Sequence, residues 1–225
     1  MSAPLKGLCR PLLALLFPQE ASCHLCERAI GREEAILCPA CTAALRRLRI
    51  PAQDAFSLHE PLGACVSAYY HEDEARLLCH LLKFRCDAAA ARPLAEGMAE
   101  ALALSGLAEA FDGAAPVPAH PERLRERGYN QAALLARAVC EHAGLSLWED
   151  ALTRTRHGTS QITRSREERL AALTGAFTAD GARVAGKRVL LIDDVLTTGA
   201  TAVSCAQALL DAGAERVCLL TACCA

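Results

Sequence analysis

The sequence predicts an α/β protein, a parallel sheet flanked by helices, with a small cysteine-rich appendage at its N-terminal end. Three observations carry this. The run Val189-Leu190-Leu191-Ile192 is apolar without alternation, as suits a central strand buried on both faces. It ends on two adjacent acids and a hydroxyl-rich turn, the place where open α/β sheets bind ligands. Near the other end stand two Cys-x-x-C pairs, Cys23/Cys26 and Cys38/Cys41. The expected organisation is an N-terminal helix and ribbon over 1–50 and an α/β domain over 51–225, within which 64–110 covers one edge.

In chain order, the apolar segment from Leu8 to Phe17 is interrupted by Arg10 and Pro11 and stopped by Pro18. It is too short to cross a bilayer and reads as an interior or partner-facing helix. A membrane-surface helix is the alternative, with only Lys6 and Arg10 as basic anchors.

The cysteine pairs follow, with eleven residues between Cys26 and Cys38. Four thiolates at this spacing suit a closed, tetrahedral zinc site, and Gly31 permits a tight hairpin between the pairs. Two disulfides are the competing reading; the absence of any secretory signal argues against them. His24 is an alternative ligand, expected to stay in solvent if both pairs are complete. The other nine of the thirteen cysteines are scattered among apolar neighbours and form no framework.

A helix from Cys41 ends on Arg46, Arg47 and Arg49, which either complement the helix dipole or touch phosphate. Residues 64–70 read as a strand. Leu77, Leu78, Leu81 and Leu82 mark a helix reaching Lys83-Phe84-Arg85, and Leu94, Met98 and Leu102 mark another beginning near Pro93. A new strand opens at 114–118. The loop from His120 to Gln131 then offers Arg123 and Arg127, spaced to present two guanidinium forks to one anion, with Asn130 and Gln131 where a helix begins. After a strand at 151–153, the polar stretch Arg154-Thr155-Arg156-His157-Gly158-Thr159-Ser160-Gln161 reads as a mobile lid or an ordinary exposed loop, ahead of a charged helix over 165–170.

The acid pair closes the argument. Asp193 and Asp194 can accept hydrogen bonds from vicinal sugar hydroxyls. The turn Thr197-Thr198-Gly199-Ala200-Thr201 offers hydroxyls, backbone N–H groups and the positive end of a helix beginning near Ala200, together fit for a phosphate dianion. The plainer alternative is a strand-turn-helix whose acids cap the helix or face solvent. A net charge of −2 and a pI near 6.4 give no overall nucleic-acid footprint. Aromatics at 4% argue against a broad base-stacking surface.

The thirteen residues from Val189 to Thr201 are similar, without gaps, to the phosphoribosyl pyrophosphate (PRPP) motif of type I phosphoribosyltransferases. Nearly the whole chain resembles one branch of that superfamily, the ComF competence-protein family. The resemblance runs through Leu16-Phe17-Pro18, the four cysteines, Leu82-Lys83-Phe84, Val117-Pro118, Arg123 to Gln131, Arg154-x-Arg156-x-x-Thr159-x-Gln161 and the acid motif. One departure is Ala172, where the family often has Asn. The resemblance implies a type I phosphoribosyltransferase-like fold with an N-terminal zinc ribbon. It implies Asp193 and Asp194 on the ribose hydroxyls, Thr197, Thr198, Gly199, Ala200 and Thr201 around the 5′-phosphate, and Val195 and Leu196 among the PRPP-binding residues. Lys83, Arg123, Arg127, Asn130, Gln131, Arg154, Arg156 and Gln161 become candidates for pyrophosphate or phosphate, with Mg²⁺ arriving with PRPP. No residue specifies an acceptor or a catalytic group. The function implied is that of a cytoplasmic factor in DNA uptake during natural transformation, partnered by single-stranded DNA and other uptake proteins. A Mg²⁺-dependent transferase of nucleotide salvage is the alternative.

Overall fold

The computed structural model describes residues 21–31, 36–51, 61–155 and 175–225. The expected N-terminal helix, Arg156, Thr159 and Gln161 of the lid, the 165–170 helix and Ala172 lie outside the described residues.

A four-stranded, all-parallel sheet forms the centre. Its strands are β1 (Cys65–Tyr70), β2 (Gly113–Pro116), β5 (Arg188–Leu196) and β6 (Arg216–Cys224), in the spatial order β1-β6-β5-β2. Leu190, Leu191, Ile192, Leu219 and Leu220 are all at most 1% exposed, which explains the unbroken apolar reading of β5: both its faces are covered. One face carries α2 (Asp73–Phe84), α3 (Ala91–Leu104) and α5 (Gln131–Ala143). The other carries α7 (Ala200–Asp211) and a separate antiparallel pair, β3 (Leu152–Arg154) with β4 (Phe177–Ala179). The short α6 (Gly181–Val184) links β4 to β5.

Helix α3 buries Leu94, Met98 and Leu102 at their spacing of four, as the pattern predicts. In α2 the buried stripe is instead Ala75, Leu78, Cys79 and Leu82, while Leu77 stays exposed; the run of leucines is wider than the face that packs. The stretch expected to be a basic loop is partly a helix, α4 (Pro121–Arg127). Pro121 opens its first turn, the His120 ring accepts from the Glu122 N–H, and Gly128 closes it at φ 80°, a left-handed value that glycine adopts without strain. It buries no residue, so no apolar stripe betrays it.

Residues 48–50 lie against the β1 edge. Ile50 N–H donates to the Ala68 carbonyl and Tyr70 N–H to the Leu48 carbonyl. Helix α1 (Pro39–Arg47) packs on α2, and Leu37 and Leu45 enter the same core as Leu78, Leu94 and Met98.

Candidate functional site

Successive side chains of a strand point to opposite faces, so the adjacent acids of β5 part company. Asp194 lies toward α2, where Lys83 Nζ stands 3.0 Å from its Oδ1. Asp193 lies level with Thr221 of β6, and Thr221 with Ser67 of β1, giving a polar row across the C-terminal part of the sheet. Thr221 is fully buried, with its hydroxyl 2.7 Å from that of Ser67. Both acids belong to the strand itself, which runs on to Leu196, rather than to the turn after it.

Asp194 is 4% exposed. Its Oδ2 is buried without a hydrogen-bond partner, an arrangement that costs free energy unless something donates to it. Asp193 Oδ1 accepts the Asp194 N–H at 2.8 Å. Burial, then the charge of Asp194, push the Asp193 carboxyl up to about 7. Burial alone would favour neutral Lys83, but the Asp194 carboxylate outweighs it and holds the ammonium above the usual lysine range. His71, just past β1, is lowered by burial and by Lys83 and Arg76, so it is neutral near pH 7.

After Leu196 the chain turns through Thr197 and Thr198 to Gly199, whose φ of 74° is open to glycine at little cost, and α7 begins at Ala200 as expected. Val195 to Ala202 fold over Asp193, Leu219 and Thr221 as a small cup. The N-terminal turn of a twelve-residue helix thus faces a recess walled by an acid and a buried hydroxyl.

The basic candidates are dispersed. Arg123 pairs with Glu126 at 2.9 Å on the exposed side of α4. Arg127 Nη1 donates to Gln131 Oε1 at 2.8 Å, with its guanidinium 5.6 Å from the Phe84 ring centre. Asn130 caps α5 through the Ala132 N–H and donates to the Val117 carbonyl at 2.9 Å. Arg154 lies over Phe177, with its Nε buried and unpartnered. Lys83 is thus the described basic candidate in direct contact with the acid pair. Sequence reasoning missed Thr221, Ser67 and His71; a threonine inside the apolar run of β6 was the one visible sign.

The four cysteines converge, their sulfurs all within 4.8 Å of one another. Cys26 and Cys38 are 3.7 Å apart, close to the roughly 3.8 Å that tetrahedral bonds of about 2.3 Å to zinc would set. The donor set therefore fits a metal ion of zinc's chemistry. Burial resists a thiolate at Cys23, yet backbone N–H groups of Cys38, Cys26 and Leu25 bring it down to about 6. His24 is turned away from the cluster: its Nδ1 meets Asp87 Oδ2 at 2.5 Å and ties the ribbon to the turn after α2.

No helix among the described residues is long and apolar enough to cross a membrane. No family model matches the chain. A glutamine PRPP amidotransferase from B. subtilis superposes over 61% of this chain and 26% of its own, with 22% identity and a TM-score of 0.42. Competence protein ComFC of Streptococcus pneumoniae is 35% identical over 45% of this chain and 43% of its own. DNA utilization protein YhgH of Salmonella typhimurium is 32% identical over 93% of this chain and 92% of its own. With identity sustained over nearly the full length of both chains, this protein belongs to the family of YhgH and ComFC, the ComF family that its motifs resemble.

Proposed function

We propose that the chain binds a phosphoribosyl ligand, PRPP or a close relative, at the C-terminal end of β5 and serves in the cell's handling of DNA on the cytoplasmic side. The names of the relatives, a DNA utilization protein and a competence protein, support the second half. The observation that carries the first is a helix N-terminal cup walled by Asp193, with the buried, unpartnered Oδ2 of Asp194 on the next residue of β5. A carboxylate on the wall of a recess at a helix N-terminus suits a sugar bearing both hydroxyls and phosphate. In this reading the acids take the ribose hydroxyls, and Thr197 to Thr201 take the 5′-phosphate.

The second metal that the family resemblance brings is Mg²⁺, with a partial fit. Asp194 Oδ1 is engaged by Lys83 and Asp193 Oδ1 by a backbone N–H, which leaves few protein oxygens for an octahedral ion. An ion carried mainly by ligand and water oxygens fits. When bound it would neutralise pyrophosphate charge. Zinc in the ribbon is the companion proposal, held by Cys23, Cys26, Cys38 and Cys41. Single-stranded DNA is the further proposed partner; with few aromatics available it would be met through arginines, with affinity that falls as salt rises.

Calorimetric titration with PRPP and with ribose 5-phosphate tests the ligand. Saturable binding of both is expected; binding of neither overturns the reading. Release of pyrophosphate with a panel of nucleobases would add transfer to binding.

A further inference from the structure

We infer that Lys83 is the resident cation of the acid pair, occupying on Asp194 the place of a divalent ion, so that the ribose of the ligand is held without metal. The inference rests on the phosphoribosyl reading of the site and deepens it. Lys83 Nζ is 3.0 Å from Asp194 Oδ1, and both side chains are largely enclosed, at 25% and 6% exposure. An ammonium has three donors, and this contact uses one. The other two are available to oxygens of a bound sugar, while Asp194 Oδ2 remains an acceptor for a hydroxyl. Lys83 therefore supplies both services of a metal ion at a diol: it balances the carboxylate, and it faces ligand oxygens with positive charge.

The lysine is also held in place. It stands in the last turn of α2, and the residues on either side are tied from the α4–α5 segment. The Tyr129 hydroxyl donates to the Leu82 carbonyl at 2.7 Å, and the Arg127 guanidinium covers Phe84. A long side chain anchored at its root loses less freedom when it docks, so the cation is preorganised rather than recruited. The groups that face it are Asp194, Asp193, His71, the thiol of Cys79 on its own helix and that of Cys223 on β6. Only the two acids can balance its charge.

Lys83→Met removes the charge and keeps the stem; Lys83→Arg keeps the charge. Titrations with ribose 5-phosphate, which lacks the metal-binding pyrophosphate, are run with Mg²⁺ and with EDTA. The parent is expected to bind equally in both, within about twofold. Lys83→Met should weaken about tenfold or more in EDTA, recover much of the loss in Mg²⁺, and be matched by no such dependence in Lys83→Arg. A protein that merely lost packing would weaken alike in both. Parent binding that collapses in EDTA, or a Lys83→Met protein indifferent to metal, overturns the inference. Mn²⁺ titration without sugar, followed by electron paramagnetic resonance, separates this from the phosphoribosyl reading. Even if no sugar phosphate binds at all, Lys83→Met should take up Mn²⁺ about tenfold more tightly than the parent, and equal uptake overturns the role of Lys83.

Discussion

The four-cysteine cluster and the acid pair of β5 both gather like groups, but they finish differently. In the ribbon all four donors point at one another's centre, with sulfurs within 4.8 Å, and the nearest histidine is spent on Asp87. In the sheet, adjacent acids part to opposite faces, one meets a lysine, and one buried oxygen is left with nothing. A closed donor set is what a structural metal requires; an open one is what a passing ligand requires. Stability and function are therefore separable in this chain, and each can be broken without the other.

The largest effect is expected at the ribbon. Cys38→Ser should lower bound zinc from about one per chain to a small residue, since three thiolates hold the ion far less firmly than four. Leu37 and Leu45 should then gain hydrogen exchange while β5 and β6 stay protected. Elemental analysis and exchange mass spectrometry check this; full zinc retention would mean that the cluster is not the metal centre.

The reverse pattern is expected at the sheet. Asp193→Asn with Asp194→Asn keeps the shape of the strand and removes two anionic acceptors, so PRPP affinity should fall about a hundredfold by calorimetry. Zinc content should not change. A double variant that binds as the parent does would make the acids structural.

Asp193 alone sharpens the point, because its carboxyl, pushed up to about 7 against an ordinary 3.8, works against the fold at neutral pH. Below pH 4 both states carry the proton and the native state is not penalised. Between 4 and 7 the unfolded chain releases the proton while the native chain retains it, so stability falls as pH rises and levels above 7. Asp193→Asn should abolish that slope and leave the protein more stable at neutral pH, by on the order of 2 kcal/mol in urea unfolding. A parent whose stability is flat across this window would remove the buried-acid account.

Asn130 separates two roles that the sequence left joined. Its amide caps α5 and ties that helix to the Val117 carbonyl. Asn130→Ala should therefore cost about 1 kcal/mol of stability and leave phosphate affinity nearly unchanged. A large loss of ribose 5-phosphate binding at constant stability would return Asn130 to the site.

What could be read from sequence was what is local in sequence. Val189 to Thr201 holds a strand, two acids, a turn and a helix start within thirteen residues, and each knuckle holds two thiols within four. Both were legible because neighbours along the chain remain neighbours in space. The Lys83–Asp194 pair spans more than a hundred residues and exists because α2, which meets β6 through Cys79 and Cys223 at 3.5 Å, brings its last turn to the acids of β5, which no spacing announces. Thr221 and Ser67 needed the register of β1 on β6 and of β6 on β5. Helix α4 is a different kind of miss. Pro121 at its start and Gly128 at its end are helix punctuation, but the arginines between them suggested an anion-binding loop.

The smallest effect is expected where the two regions meet. His24 belongs to the first knuckle, and Asp87 to the turn three residues beyond Phe84, on the segment that carries Lys83. A half-exposed pair of this kind contributes about 0.5 to 1 kcal/mol, and Asp87 Oδ1 also accepts the Ala89 N–H at 3.1 Å, so Asp87→Ala should lower stability by about 1 kcal/mol in all. If the ribbon is only a brace, PRPP affinity and zinc content should both survive the substitution within about twofold. If affinity falls tenfold while zinc is retained, the ribbon sets the position of α2 through this one contact, and with it the position of the lysine beside Asp194. A double-mutant cycle of Asp87→Ala with Lys83→Met decides between these: additive losses mean two independent regions, and a second substitution without further cost means a single path from the ribbon to the site.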